Sequence, residues 1–564
     1  MSEAHQLICP MCEGTGVKNE NKCSHCRGKG VVLFFQGKYL YWGRALGEKS
    51  FVHEKIFKKA ATVLNAGLGV FSLSGIAVMI YWGVLNGFGH FFIGSYWLTP
   101  GLEKQYFGLS LLAALFLYYR LSYTRNKKFF VMKRRFRSFD RPAVDWSDIN
   151  HSKKMSVDVS VAFDDEAKKA VEASWRLARH FNNEKVLPMH FLGALTHFDK
   201  TAILLRRLAI DFNKFNQAIS HHFSRRDKMN QAETPLLSAD FRLLLLKSYA
   251  EACEDNNAQV GVLDMAAAFA KTVAVSLYQE LKELSLTKQM LANTTGWLRG
   301  QQNMREHLYW QEKYLNKNKL TVSELSPLLR GYCDDLTARV RREEHFPCVN
   351  RDAEIAKIIR SFEAGHRGVM LIGGEGAGKM SIVGEIARRA LLGLDTPIFS
   401  GKRFASIDAE AFIGNENAEE DLLKLIAEIM AHGNIVLVLE NVSALAGKAG
   451  GTDLADVLRH GLMRNKFHCL ATSRPADYER LLAKHPLDEL FDKIQTSAPD
   501  EDEAIQTLAM HSGPIEYRHG VYFSYDAIEK ASREAKIADA LRRLDIAAAG
   551  ASASNKKFIR AEDI

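Results

Sequence analysis

Two short stretches of the chain carry residues whose types and spacing could do chemistry. Residues 373–380 read GGEGAGKM, which satisfies G-x-x-x-x-G-K and then departs at the final position. In such a loop the glycines (here Gly373, Gly374, Gly376 and Gly378) let backbone amides face phosphate oxygens. The lysine, Lys379, reaches the outer phosphates, and a Ser or Thr hydroxyl holds magnesium. Met380 puts a thioether where that oxygen belongs. The loop could cradle the phosphates of ATP or ADP, but it lacks one part of what hydrolyses them.

The second stretch is duplicated. Residues 9–16 (CPMCEGTG) and 23–30 (CSHCRGKG) repeat one pattern, C-x-x-C-x-G-x-G. Each copy offers two thiolates on a tight turn, and its glycines let the backbone fold back toward the sulfurs. Together Cys9, Cys12, Cys23 and Cys26 form a four-thiolate tetrahedral set, best suited to Zn2+ because nothing nearby suggests redox chemistry. His25 lies between two ligands, but four thiolates complete the site. The pattern resembles the cysteine-rich zinc module of DnaJ co-chaperones, reduced to two repeats. That resemblance implies engagement of unfolded clients or partner chaperones. The alternative is a staple for a segment too short to build its own core.

The chain around these stretches is long enough, at 564 residues, for several domains. A composition of 47% hydrophobic and 25% charged residues with 12 prolines excludes a mainly disordered protein. The remaining cysteines (Cys253, Cys333, Cys348, Cys469) are scattered and read as buried apolar thiols. The polar N-terminus shows no secretory signal, which predicts a reducing, cytoplasmic setting for the soluble parts.

From Ala60 to Leu102 there is no Asp, Glu, Lys or Arg. Residues 60–85 exceed the roughly 20 that a bilayer-spanning helix needs, and a second, shorter span is predicted at about 104–123, where Arg120 can snorkel. Lys55, Lys58 and Lys59 precede the first span, and a dense basic run follows the second, from Arg125 to Arg137. The positive-inside rule therefore predicts a hairpin with both ends in the cytoplasm, the default being a bacterial inner membrane. The basic run reads as a collar on anionic lipid rather than a nucleic-acid site.

Past Pro142 the pattern becomes helical and repeats after about 75 residues: FDDEAKKAVEASWRLARHF and LPMHFLGAL, then SADFRLLLLKSYAEACEDNN and LDMAAAF. This resembles the N-terminal domain of the Clp family of AAA+ unfoldases, two four-helix repeats that bind adaptors or substrates. LPMHFLGAL takes the place of that family's T-E-H-L-L-x-A-L. His190 falls on a motif His, and on an apolar helix face it reads as structural.

From about 335 to 540 the chain resembles the first ATPase domain of the same family. VMLIG (369–373) is the strand before the phosphate loop, GNIVLVLENVSAL (433–445) the Walker B strand, FHCLATSRPADYERLL the sensor strand, and PDEDEAIQTL with HGVYFSYDAIEKAS the lid. The family's Asp-Glu pair reads Glu440-Asn441 here. Glu440 could hold magnesium through water, but Asn441 cannot accept a proton from attacking water. Ser473, or Thr472, takes the sensor position. Glu489 and Leu490 stand where the family carries Arg fingers, and FIGNENAEED (412–421) lacks the aromatic pore grip. The chain stops at Ile564, about where the family's second ATPase domain and its peptidase-docking loop would follow, so no docking of the Clp peptidase is expected.

The predicted fold class is thus multidomain α and α/β. Its predicted order is a zinc module (1–35), a membrane hairpin (55–125), a basic juxtamembrane segment (126–155), Clp-type helical repeats (156–285), a helical linker (286–334) and a degenerate AAA+ domain with lid (335–564). The expected function is a membrane-tethered, Clp-like adaptor or scaffold in protein quality control with no or very weak ATPase activity. Its expected partners are the membrane, a protein bound by the repeats and another Clp or AAA+ subunit. The alternative is a genuine but weak membrane-anchored ATP-dependent chaperone subunit.

Overall fold

The computed structural model describes the chain except residues 1–5, 19–20, 93–99, 134–145, 152–155, 211, 225–233, 256, 258, 273–285, 318–325, 342–347, 393–396, 413–416, 447–452 and 465–466. The chain divides into two compact units, one of residues 1–206 and 210–295, the other of 207–209 and 296–564.

In the first unit β1 (Gln6–Ile8), β2 (Val31–Phe35), β3 (Lys38–Tyr41) and β4 (Ser156–Asp158) form one sheet in that order. The cysteine module therefore extends past residue 35. It also takes up a strand from beyond the hairpin, since β3 and β4 pair in parallel through Tyr39–Ser156 and Tyr41–Asp158. Between them run α1 (Glu48–Asn86) and α2 (Leu102–Lys133), followed by the short α3 (Trp146–His151).

Helix α1 starts well before its apolar stretch. Its first turns pack against the helical repeats: the Phe51 ring meets Trp175 edge-on at 5.3 Å. Arg44, just ahead of the helix, bridges Glu54 at 2.6 Å and Glu172 at 2.7 Å. Beyond Lys59 the large apolar side chains, such as Val63, Val70, Leu73 and Val84, are mostly exposed. Helix α1 is long and apolar enough to cross a membrane. Of the two expected spans it alone is so among the described residues. Helix α2 does form and packs along α1, with the Ser74 and Tyr106 hydroxyls 2.7 Å apart and Gly75 against Ser110. Its polar and basic residues, from Glu103 and Lys104 to Arg120 and Lys127, dilute its apolar character. Much of the expected aromatic loop and of the basic collar lies outside the described residues.

The repeats are helices α4 (Asp165–His180), α5 (Pro188–Ala194), α6 (Asp199–Arg207), α7 (Phe212–Ser224), α8 (Ala239–Glu254) and α9 (Val262–Thr272). The duplication is visible in single side chains. Asp164 caps α4 by accepting from Ala167 N, and Ser238, 74 positions later, caps α8 by accepting from Phe241 N. Parallel bridges cross the copies, Phe163 with Val260 and Val186 with Leu237, Leu237 and Val260 standing 74 positions after Phe163 and Val186. His190 accepts from Leu187 N at 2.9 Å and its Nε2 lies 3.1 Å from Asn183 Oδ1. In the second copy Asp264 accepts from Gly261 N at 2.8 Å and from Asn257 Nδ2 at 3.1 Å. His190 is fully buried, as a structural residue would be. The end of the second repeat, 273–285, lies outside the described residues.

The second unit contains α10 from Gly296 onward (the helix is Lys288–Lys317), α11 (Pro327–Tyr332), β5 (Asp334–Asp335), α12 (Leu336–Arg341), α13 (Asp352–Glu363), β6 (Gly368–Gly373), α14 (Lys379–Leu392), β7 (Arg403–Asp408), α15 (Ala418–His432), β8 (Ile435–Glu440), α16 (Leu454–Met463), β9 (His468–Ser473), β10 (Phe491–Thr496), α17 (Glu501–His519), α18 (Tyr525–Glu534) and α19 (Ile537–Ala553). The sheet order is β10-β6-β9-β8-β7-β5. Strands β6 to β10 run parallel, and β5 closes the edge antiparallel. Apolar side chains cover both faces, as parallel strands require. The chemistry then falls at the carboxyl ends of the central strands.

Candidate metal centre and nucleotide pocket

The two cysteine turns superpose their chemistry 14 residues apart. Gly16 N donates to Cys12 Sγ and Gly30 N to Cys26 Sγ, each at 3.3 Å. Both glycines have positive φ, 76° and 71°. A Cβ on Gly30 would stand 2.2 Å from Gly14 O, so only glycine closes the turn. Cys9 and Cys23 Sγ are 3.9 Å apart, Cys12 and Cys26 Sγ 3.7 Å, and all four sulfurs lie within 4.8 Å of one another. A tetrahedron with metal–sulfur bonds of about 2.3 Å has edges of about 3.8 Å, so the set fits zinc. His25 Nδ1 lies 3.4 Å from Cys9 Sγ, a neighbour of the cluster rather than a fifth ligand.

What holds this cluster in place comes from residues far along the chain, which no local pattern marks. Arg242, on α8, is buried and donates to three carbonyls of the module: Thr15 O at 2.7 Å, Lys29 O at 3.1 Å and Trp42 O at 3.4 Å. Burial pushes its pKa down to about 10, while Cys12 and Cys26 pull the other way. On the other side Trp146 and Ile149 of α3 close the core around the sulfurs, and Asn150 Nδ2 donates to His25 O at 2.8 Å. A second group, Asp453, Asp456 and His485, comes close enough to hold a cation. Its members are already engaged: His485 Nε2 with Asp453 at 3.0 Å, Asp456 with Arg459 at 3.0 Å.

In the second unit a cavity of about 450 Å³ opens beside the phosphate loop, lined by Gly376, Gly378, Lys379, Met380, Asn441 and Arg474 and roofed by α17 and α19. Gly376 and Gly378 both have φ of 77°, and nothing stands within 4 Å of where their Cβ atoms would be. The loop amides therefore have room for an anion. Lys379 Nζ donates to Gly373 O at 2.6 Å and to Gly374 O at 2.8 Å. Burial lowers its pKa, and the nearby Arg474 charge lowers it further.

Of the positions that would do chemistry, Met380 and Asn441 line the cavity. Glu440 does not; its Oε1 accepts from Ser406 Oγ at 2.7 Å. Ser473 is fully buried, its hydroxyl 2.5 Å from that of Ser443, and Thr472 Oγ1 accepts from Asn441 N at 3.2 Å. Glu489 and Leu490 sit in a 3-10 turn, Pro486–Leu490. Phe412 is core, stacked on Tyr332, and residues 413–416 of the shortened loop lie outside the described residues. Cys348, on the cavity wall, has its thiol pushed up to about 12 by burial, an inert group.

Residues 162–284 match the Clp repeat (R) N-terminal domain. Over a longer stretch, the chain is 24% identical over 384 residues to chaperone protein ClpB 1 of Synechocystis, covering 66% of this chain and 41% of that one. Against ClpC/MecB of Bacillus subtilis, a negative regulator of genetic competence, identity is 28% over 215 residues, 36% of this chain and 26% of that one. Among solved structures it is similar to yeast Hsp104 in its ADP complex (24% identity, TM-score 0.38, 42% of this chain and 44% of that one). The homology is thus to Clp-type AAA+ chaperones, joined to a Clp repeat domain in a mixed helical and α/β chain. The chain spans less than half the length of these relatives.

Proposed function

We propose that this is a membrane-anchored, Clp-like AAA+ protein that holds ATP or ADP without turning it over and acts as an adaptor or scaffold in protein quality control. Protein partners are captured by the Clp repeats, and a further Clp or AAA+ subunit docks beside the AAA+ fold. The single observation that carries this is the composition of the pocket. A thioether and a carboxamide, Met380 and Asn441, line it where a metal-binding hydroxyl and a general base would be needed, and Glu440 is turned to Ser406.

The exposed apolar surface of α1 supports the anchor. The β3–β4 pairing supports a hairpin, because chain entering α1 and chain following α2 meet in one sheet. With basic residues at both ends of the hairpin, this favours both termini in the cytoplasm, at a bacterial inner membrane. The cysteine set would hold a structural zinc, sealed between α3 and α8.

ATP turnover by the full chain in detergent, with Lys379→Ala as control, tests the reading. The expected rate equals that of the control. Magnesium-dependent hydrolysis abolished by Lys379→Ala would overturn it in favour of a weak but genuine ATPase using Glu440 as metal ligand.

A further inference from the structure

We infer that the pocket takes its nucleotide polyphosphate without magnesium, Arg474 supplying the charge that the metal brings elsewhere. The inference rests on the reading that nucleotide is held but not hydrolysed.

Magnesium demands oxygen ligands in near-octahedral array, and a thioether is too soft to be one of them. Met380 faces the cavity at the position of the metal-binding hydroxyl. The Walker B carboxylate, Glu440, is not among the lining residues. Neither of these two positions offers a metal an oxygen; the oxygen-bearing side chains left in the lining include Ser381, Asn441 and the loop carboxylate Glu375.

The cationic side of the pocket is, by contrast, overfilled. Lys379 is satisfied by two carbonyls, neither of which neutralises it. Arg474 follows β9 directly, lines the same cavity and is exposed; among the described residues its guanidinium makes no hydrogen bond or ion pair. The pocket's third cation, Arg351, is already committed to Glu354 at 3.2 Å and Glu503 at 3.3 Å. The remaining carboxylate on the wall, Glu375, is exposed on the loop. Lys379, partly desolvated, and the exposed Arg474 line one cavity with open loop amides, an arrangement of like charges that an anion relieves. A guanidinium can also bridge two phosphate oxygens, which is the geometric service magnesium usually performs.

The test is fluorescence binding of MANT-ATP to the full chain in detergent, with magnesium chloride or with EDTA. Wild type should bind equally in both, within about twofold. Arg474→Ala, at an exposed position that leaves the fold intact, should weaken binding in EDTA about tenfold or more, with Arg474→Lys between. Met380→Thr, which returns the hydroxyl, should make binding tighter with magnesium than without. Wild-type binding that requires magnesium, or that ignores Arg474→Ala, overturns the inference. So does absence of binding in both buffers. Magnesium-dependent binding without turnover would sink this inference and leave the non-hydrolysing reading standing; turnover would sink that reading instead.

Discussion

His468 opens β9 with a cation against each ring nitrogen, Lys402 Nζ 2.8 Å from Nδ1 and Arg367 Nη1 3.2 Å from Nε2. Phe362 and Phe399 meet it edge-to-face at 5.2 and 6.1 Å between ring centroids. Burial, then Lys402 and Arg367, lower its pKa to about 4. The unfolded chain, with an ordinary imidazole near pH 6.5, binds the proton more readily, so acid favours unfolding through this residue. Stability should rise between about pH 4 and 6.5 and level off above, the contribution being about 3 kcal/mol at most. Thermal unfolding from about pH 6.5 down to 5, above most carboxylate titrations, should show a slope that His468→Gln flattens. An unchanged slope in that variant would refute the assignment. The same residue scale holds what was easiest to see in the sequence. The phosphate loop and the cysteine turns are local, so spacing alone announces them. That Met380 and Asn441 share one cavity follows from a strand and a loop some 60 positions apart coming together, which spacing cannot show.

At the scale of elements, Arg242 makes the cysteine module and α8 one object. Removing the guanidinium strands the buried carbonyls Thr15 O and Trp42 O and leaves Lys29 O with Val31 N alone. Each buried group left unpaired costs about 1–3 kcal/mol. Arg242→Ala should therefore raise hydrogen exchange both in residues 9–30 and in the first turns of α8, and Arg242→Lys should recover part of the loss. If the four thiolates hold zinc, a chelator should do the same to α8 while leaving the second unit's exchange unchanged. If chelation loosens only residues 9–30, the module is an independent staple and the coupling is wrong. None of this could be read from the chain, because the contacts join residues more than 200 positions apart. The repeats were legible for the opposite reason: their duplicated caps and apolar faces recur at one fixed offset. The long apolar helix was half legible. Loss of charge after Lys59 marks where lipid would begin, but α1 itself begins at Glu48, because its polar first turns pack on Trp175 and carry the Arg44 bridges. For α2 the pattern promised a span, and its charged residues fall short of one.

For the molecule as a whole, the strand pairing across the hairpin is the constraint with the widest reach. Tyr39 to Tyr41 and Ser156 to Asp158 are hydrogen-bonded neighbours, and Asp158 also accepts from Gly43 N at 2.9 Å. A chain crossing the bilayer once would put these segments on opposite sides and leave β3 without β4. Crossing twice keeps them together, even though α2 is a poor span alone: packed along α1 through Gly75 and Ser110, it presents part of its polar surface to a helix rather than to lipid. Both termini should therefore lie on one side, with residues 93–99 on the other. In a bacterial host, green fluorescent protein joined to either end of the full chain should fluoresce, and alkaline phosphatase should be active when inserted at 93–99 and inactive after Ile564. Replacing Tyr39 and Tyr41 by proline, which breaks the β3 ladder, should destabilise the module without changing that pattern, because basic residues on both flanks set the orientation independently. Active phosphatase after Ile564 would mean a single crossing. The sheet that joins 38–41 to 156–158 could then not form in the membrane, and the two-span anchor would have to be abandoned.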